Sequence, residues 1–422
     1  MFKKVFSVLI CFLIAGCSLN KTPVLWRDEK TTGQSEAEKA PTVAVLLPLS
    51  GESEKVGASM KNAMLLKAFE QPNTPLKVLL FDTQSSDSGA VDAYRWALAQ
   101  KPDIVVGPVF SKEVKAIKEA GVSVPLLTFT SDTTLVDSKV GTMAVTISEQ
   151  VRQIVRNACQ GNRLRLGVLA PDSKTGEIAM NALSEEVKSC PGMTLKKVSV
   201  YDANTMNFTQ AVEKIAPPLI NGKKKNLTDA ERAELSRSTS ERAGLDAIVL
   251  FEEGIKLRQL LSLLAFYDAS PKDIPVYGLT LAKQVTDTNA NYIYFADLDE
   301  TGYYDFARQY KAEFGESPIR IATQMYDAIG FILSETALGH SVELDALQAQ
   351  ESYQGIDGLV RLNSDGTNKR ALQLKQKRGS RDILITPAES FSQEQLLSGS
   401  NPFMGQATES IDSTSVSLGA WE

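Results

Sequence analysis

Histidine is almost missing from this 422-residue chain, where His340 is the only one, and cysteine occurs four times. That scarcity argues against a zinc centre, which takes three or four His, Cys or carboxylate ligands at short spacings, and no C-x-x-C occurs. A serine triad would have to recruit His340 from the end of a predicted helix, with no nucleophile motif elsewhere. The G-x-S-x-G elbow, the G-x-x-x-x-G-K-[ST] phosphate loop and the H-E-x-x-H helix are all missing. The acid pairs Asp297/Asp299 and Glu252/Glu253 are close neighbours in sequence, whereas glycoside hydrolysis needs carboxylates facing each other across a cleft. The expectation is a non-catalytic protein without metal or cofactor. No apolar run reaches the roughly 20 residues that span a bilayer. The net charge of -6 is spread along the chain and the only tight basic run is Lys223-Lys224-Lys225, so neither a nucleic-acid surface nor an anionic-membrane surface is indicated.

What is present begins at the N-terminus. Lys3 and Lys4 precede an apolar run from Val5 to Ile14, and the small residues Ala15 and Gly16 lead to Cys17. Charged, then apolar, then small is the layout of an export signal, here residues 1–16. A signal that ends on cysteine resembles the bacterial lipoprotein box, in which the thiol is acylated and becomes the new N-terminus. The resemblance implies attachment of Cys17 by acyl chains, with the protein outside the cytoplasm. Ser18 in place of aspartate favours the inner leaflet of the outer membrane. Residues 17–40 are then anchor and flexible tether, polar and without apolar periodicity.

From Thr42 onward short apolar runs alternate with helical patterns. Strands are predicted at 43–47, 78–82, 103–107 and 125–129, separated by helical spacing such as Met60, Ala63, Met64 and Ala68. The rhythm restarts with helix 149–159 and strands 164–169, 194–201, 247–251 and 274–277. Apolar strands alternating with amphipathic helices give an α/β fold of two doubly wound parallel-sheet lobes. Between Pro217 and Gly244 lies a polar insertion, where Thr228-Asp229-Ala230-Glu231 fits a capping box; it is a candidate docking element or a passive surface loop. Two late helices, 305–314 and 322–338, precede alternating segments 358–362 and 371–374 around Asp365-Gly366, a hairpin signal. Residues 390–422 read as a disordered tail. With Cys11 lost with the signal and Cys17 acylated, Cys159 and Cys190 remain as a disulfide candidate in an oxidising compartment, or as two small buried thiols.

Val43-Ala44-Val45-Leu46-Leu47-Pro48-Leu49-Ser50-Gly51, Val106-Gly107-Pro108, Tyr326-Asp327-Ala328 and Tyr353-Gln354-Gly355-Ile356-Asp357-Gly358 resemble the type I periplasmic binding fold of the leucine/isoleucine/valine-binding proteins. The resemblance implies two lobes joined by three crossovers: 41–146 plus 280–340 as lobe one, 147–279 plus 341–389 as lobe two. Within that fold, Leu46 to Gly51, Val106 to Val109, the strand before Phe251 and Asp357-Gly358-Leu359 are similar to the penicillin-binding protein activators. Those are outer-membrane lipoproteins that stimulate peptidoglycan synthases, so the implied partner is a class A penicillin-binding protein. Enteric activators carry a helical-repeat domain ahead of this one, and here the tether occupies its place. The alternative is a lipoprotein solute receptor of an ABC importer for amino acids or a similar metabolite.

In open α/β sheets ligands lie at the carboxyl ends of strands. The loops there offer Ser50, Glu52, Ser111, Thr128, Thr130 and Ser131 in lobe one, and Asp172, Thr175, Glu252 and Glu253 in lobe two. Ser111 is expected to cap the helix from Lys112, whose free amides suit a carboxylate. Glu252 or Glu253 suits an ammonium group. The same residues also have ordinary roles as caps, turn formers and solvated first-turn acids. Thr175 stands where amino-acid binders commonly have an aromatic, and Phe110, Phe129 and Phe251 are the candidate replacements.

Overall fold

A computed structural model describes residues 40–216, 241 and 243–388. The signal 1–16, Cys17 and its tether to 39, the capping box at 228–231 and the tail 390–422 lie outside the described residues. Strands β1 (Thr42–Leu47), β2 (Lys77–Asp82), β3 (Ile104–Val106), β4 (Leu126–Thr128) and β5 (Val140–Thr142) form an all-parallel sheet in the order β2-β1-β3-β4-β5. The apolar runs of β1, β3 and β4 are fully buried because helices cover both faces. On one face pack α1 (Glu54–Glu70) and two late helices, α8 (Thr301–Phe314) and α9 (Ala322–Ala337); on the other pack α2 (Asp87–Ala99) and α3 (Ser111–Ala120). Twelve of the sixteen residues of α9 are buried, Met325, Ile329 and Ile332 among them. Truncating any of these three to alanine is worth about 2–5 kcal/mol.

The second sheet runs in the order β15-β14-β10-β9-β8-β6-β7. Its parallel part is β6 (Arg165–Asp172), β7 (Thr194–Asp202), β8 (Ala247–Leu250), β9 (Val276–Gly278) and β10 (Tyr294–Asp297), covered by α4 (Ile147–Gln160), α5 (Lys174–Glu186), α6 (Thr209–Ile215) and α7 (Gly254–Phe266). An antiparallel extension, β14 (Gln373–Arg378) and β15 (Arg381–Thr386), completes it. A third small sheet joins β11 (Tyr353–Gly355), β12 (Gly358–Leu362) and β13 (Asn368–Arg370). With α10 (Leu344–Ala349) it belongs to lobe one, since Leu344, Leu347, Val360 and Leu362 share the core of α9.

The lobe boundaries therefore differ from those expected at 280 and 341. β10 pairs with β9 in the second sheet, so the return to lobe one occurs at 298–300, and the final crossing occurs at 371–372. The reason is packing: Phe295 completes the lobe-two core, and Leu344 to Leu362 complete that of lobe one. The expected hairpin exists around Asp365-Gly366, but its second strand is β13. Residues 371–374, read as that strand, carry Leu372 to the junction between the lobes and Leu374 into lobe two. Gly366 has φ +85°, and a side chain there would meet the Asp137 carbonyl at 2.3 Å, which lets the hairpin tip lie against β5.

Cys159, at the end of α4, and Cys190, after α5, are disulfide-bonded with Cα atoms 6.0 Å apart. The bridge closes a loop of 31 residues in the unfolded chain, which by chain entropy is worth about 3–4 kcal/mol. Cys159→Ser is expected to lower the free energy of denaturant unfolding by that order, as is reduction of the native protein. An unchanged midpoint would show that the bridge adds no stability.

Candidate functional site

At the carboxyl ends of the lobe-one strands the hydroxyl groups are engaged with the protein itself. Ser50 Oγ donates to Asp82 Oδ2 at 2.6 Å, and the amides of Leu49 and Gln84 donate to the other oxygen at 2.8 Å. Partial burial pushes the Asp82 carboxyl up, but these hydrogen bonds outweigh it and hold the group below its ordinary value. Thr128 is buried and donates to the Gly141 carbonyl at 2.9 Å, tying β4 to β5. Ser111 Oγ and Thr130 Oγ1 are 2.7 Å apart, and Thr130 also accepts from the Asp132 amide at 3.1 Å. Glu52 and Ser131 are exposed.

The expected cap is corrected by this geometry. Ser111 is the first residue of α3 and Phe110 takes the cap position, because the Ser111 hydroxyl is turned to Thr130. Glu113 reaches back instead, accepting from the Phe110 amide at 3.5 Å and from Thr83 Oγ1 at 3.0 Å. This fully buried carboxyl escaped the sequence reading, although an acid three residues after a helix start is a recognisable capping signal. Burial pushes its pKa up to about 7, against the pull of Thr83 and the Phe110 amide. Phe129 belongs to the lobe-one core, and the half-buried Phe110 packs against it.

Lobe two is different. Pro171, Ser173, Thr175, Phe251, Glu252 and Lys256 line a cavity of about 160 Å³ at the ends of β6, β8 and β9, and Ala203, Glu253 and Leu279 complete it. Every one of these residues comes from lobe two. Ser173 caps α5 by accepting from the Gly176 amide at 3.2 Å. Glu252 is 9% exposed, and one carboxylate oxygen accepts from the Glu253 amide at 3.3 Å. The Tyr201 phenol faces Glu252, and burial followed by that carboxylate pushes its pKa well up. Lys256 is turned to the carbonyl of Ala203, and Phe251 supplies the apolar wall. Thr175, Glu252 and Glu253 are thus brought together, while Asp172 is exposed and outside the lining.

The cavity presents acid on an aromatic wall, which suits a small cationic head group. Its volume is below the roughly 300–1,000 Å³ of drug-sized ligand pockets. Among the described residues no group of three His, Cys, Asp or Glu is placed to hold a metal ion, and no helix is long and apolar enough to cross a membrane.

The model of the LppC lipoprotein family matches residues 32–307. No curated protein matches the sequence. Among solved structures the chain is similar to a protein from Rhodospirillum rubrum described as a branched-chain amino acid ABC transporter. That likeness has TM-score 0.66 and 16% identity, over 82% of this chain and 100% of the other. It is also similar to a periplasmic binding protein type 1 from Bordetella pertussis Tohama I (TM-score 0.54, 15% identity, 82% and 100% covered). A third is the leucine-binding protein LivK from Thermotoga maritima MSB8 (TM-score 0.52, 14% identity, 83% and 99% covered). Identities this low establish the fold alone, and that fold is the type I periplasmic binding architecture.

The buried Glu113 sets a pH dependence for lobe one. Its folded pKa of about 7 stands above the ordinary 4.5, so the folded state holds the proton more tightly than the unfolded chain. The resulting stability is full below about 4.5 and is lost as pH rises through 7. Glu113→Gln is expected to reduce the fall in unfolding free energy between pH 5 and pH 8 by about 2–3 kcal/mol. Parallel wild-type and variant curves in denaturant titrations would contradict it.

Proposed function

The chain belongs to the LppC lipoprotein family, and from that premise we propose that it is a lipid-anchored, non-catalytic periplasmic protein that binds and stimulates a class A penicillin-binding protein. The observation that carries this reading is the state of the lobe-one strand ends. Ser50, Ser111, Thr128 and Thr130 all spend their hydrogen bonds within the protein. A receptor that closes on a solute needs polar groups from both lobes, and these four lobe-one hydroxyls are already engaged within the protein. A protein that acts by docking needs no such pair.

On this reading acylated Cys17 sits in the inner leaflet of the outer membrane. The 22 residues from 18 to 39 span roughly 75 Å at full extension, enough to carry the lobes inward toward a synthase. Docking stimulates the synthase only if its active state binds more tightly than its resting state. The insertion from Pro217 to Gly244 is a candidate docking element. Ala216 before it and Leu245 after it lie between α6 and β8, at the end of the sheet opposite the cavity.

The lobe-two cavity favours a second reading, a receptor for a small amino-bearing metabolite held by Glu252. One variant separates the two. Glu252→Gln in the full lipoprotein is expected to leave the stimulation of glycan polymerisation by a class A synthase unchanged. Under the receptor reading, amino acids bind in calorimetry, the variant weakens them by about ten- to a hundredfold through loss of a charged hydrogen bond, and the synthase is unaffected by either protein.

A further inference from the structure

Three segments cross between the lobes, at 143–146, 298–300 and 371–372, and Val145, Leu298 and Leu372 pack together with Ala296 where they meet. Charged groups ring that contact. Arg370, at the end of β13, is fully buried, and its Nη2 donates to the Met143 carbonyl at 2.9 Å, at the start of the first crossing. Its backbone is held by lobe two: the amide donates to Glu149 at 2.9 Å and the carbonyl accepts from Arg152 at 3.3 Å, both on α4. Nε and Nη1 of Arg370 make no hydrogen bond, yet its charge acts on the buried Asp327 of α9.

Asp327 clasps the turn between β11 and β12, in the small sheet whose third strand carries Arg370. Its two oxygens accept from the amides of Ile356 at 2.8 Å and Asp357 at 3.3 Å. Gly355 lies so near that a side chain there would meet the Asp327 carboxylate at 2.3 Å. Asp357, also fully buried, accepts from Thr323 at 2.5 Å and pairs with Arg320 at 2.8 Å. Arg320 acts in turn on Glu300 of the second crossing, which pairs with Lys375 of lobe two at 3.0 Å and with Lys283 at 3.7 Å. All three crossings are thus tied into one set of charged and polar contacts.

We propose that this set is a proton-operated lock on the interlobe angle, latched when Asp327 carries a proton and released when it does not. Asp327 faces Asp357, Arg370 and the Tyr353 phenol, and Glu70 and Tyr326 lie beyond that phenol. Burial first, then the Asp357 carboxylate, push Asp327 up to about 7, with Arg370 pulling the other way. Undocking the hairpin would expose Asp327 to water and return it toward the ordinary 3.8. The docked state therefore holds a proton that the open state gives up, so the docked-to-open ratio falls by up to about tenfold per pH unit between the ordinary 3.8 and about 7 and levels off above it. The same step frees Arg370 from Met143 and with it the third crossing.

The test is the interlobe distance distribution by pulsed electron spin resonance in the full chain, with nitroxides at Glu119→Cys of α3 and Glu185→Cys of α5, both exposed. One narrow distance at pH 6 that broadens at pH 8.5 is expected. Asp327→Asn is expected to abolish the pH response, and Glu113→Gln, which removes the other raised carboxyl in lobe one, to keep it. A wild-type distribution identical at both pH values would overturn the proposal, and so would a pH response that persists in Asp327→Asn.

Discussion

The guanidinium of Arg370 on the Met143 carbonyl, with the Arg370 backbone on Glu149 and Arg152, is the interaction on which the two-lobed arrangement turns. Each sheet has its own core and its own helices, and neither needs the other to bury its apolar face. What makes them one body is a thin junction of three chain crossings. A junction of that size buries little apolar area, so its geometry rests on polar groups whose desolvation must be met by partners. Removing one member of a buried charged set of this kind costs about 3–5 kcal/mol, because the other charge is left in the interior. The Asp327 contact with the amides of Ile356 and Asp357 belongs to the same constraint, since it seats the β11–β12 turn of the small sheet whose third strand carries Arg370.

That junction bears on function. Binding proteins of this fold serve by letting two lobes close on a solute, and closure needs a hinge that moves and ligating groups on both sides. Here the hinge is packed with charge, and the lobe-one strand ends hold one another: Ser111 to Thr130, Ser50 to Asp82, Thr128 to Gly141. The cavity beside Glu252 and Phe251 retains the character of a small-molecule site, and it is built from one lobe. A fold hosts more than one use, and the engaged strand ends are the observation on which the proposed scaffold role rests.

Much of this was legible in the sequence where burial is two-sided. The runs Val43–Leu47, Ile104–Val106 and Ala247–Leu250 are continuous and apolar because helices cover both faces, so their strand character shows. β14 did not show beyond Leu374, because Gln373–Arg378 is polar. Lys375 and Lys377 are buried there only by virtue of Asp297, Glu300 and the Lys283 carbonyl, residues far away in sequence. β10 was missed for a related reason: Tyr294–Asp297 is short, and its core partners come from two other strands. Among the candidate residues, Thr175, Glu252 and Glu253 come together on one cavity because strand order places them at the same end of the sheet. Ser50, Ser111 and Thr130 have the right position but the wrong partners, which spacing does not reveal. Asp327 and Asp357 were visible as parts of a resemblance without a role. The signal for them was an acid set within the apolar helix Ala322–Ala337, where a carboxyl must find donors or be protonated.

The most direct test of the central claim, that this protein acts through a docked partner and not through a closed cleft, is hydrogen–deuterium exchange of the full lipoprotein with and without a class A penicillin-binding protein. A docked partner leaves a contiguous protected surface on the lobes, with the cavity segments 171–175 and 251–256 exchanging as they do in the free protein. Protection confined to those cavity segments, or no protection at saturating synthase, would contradict it.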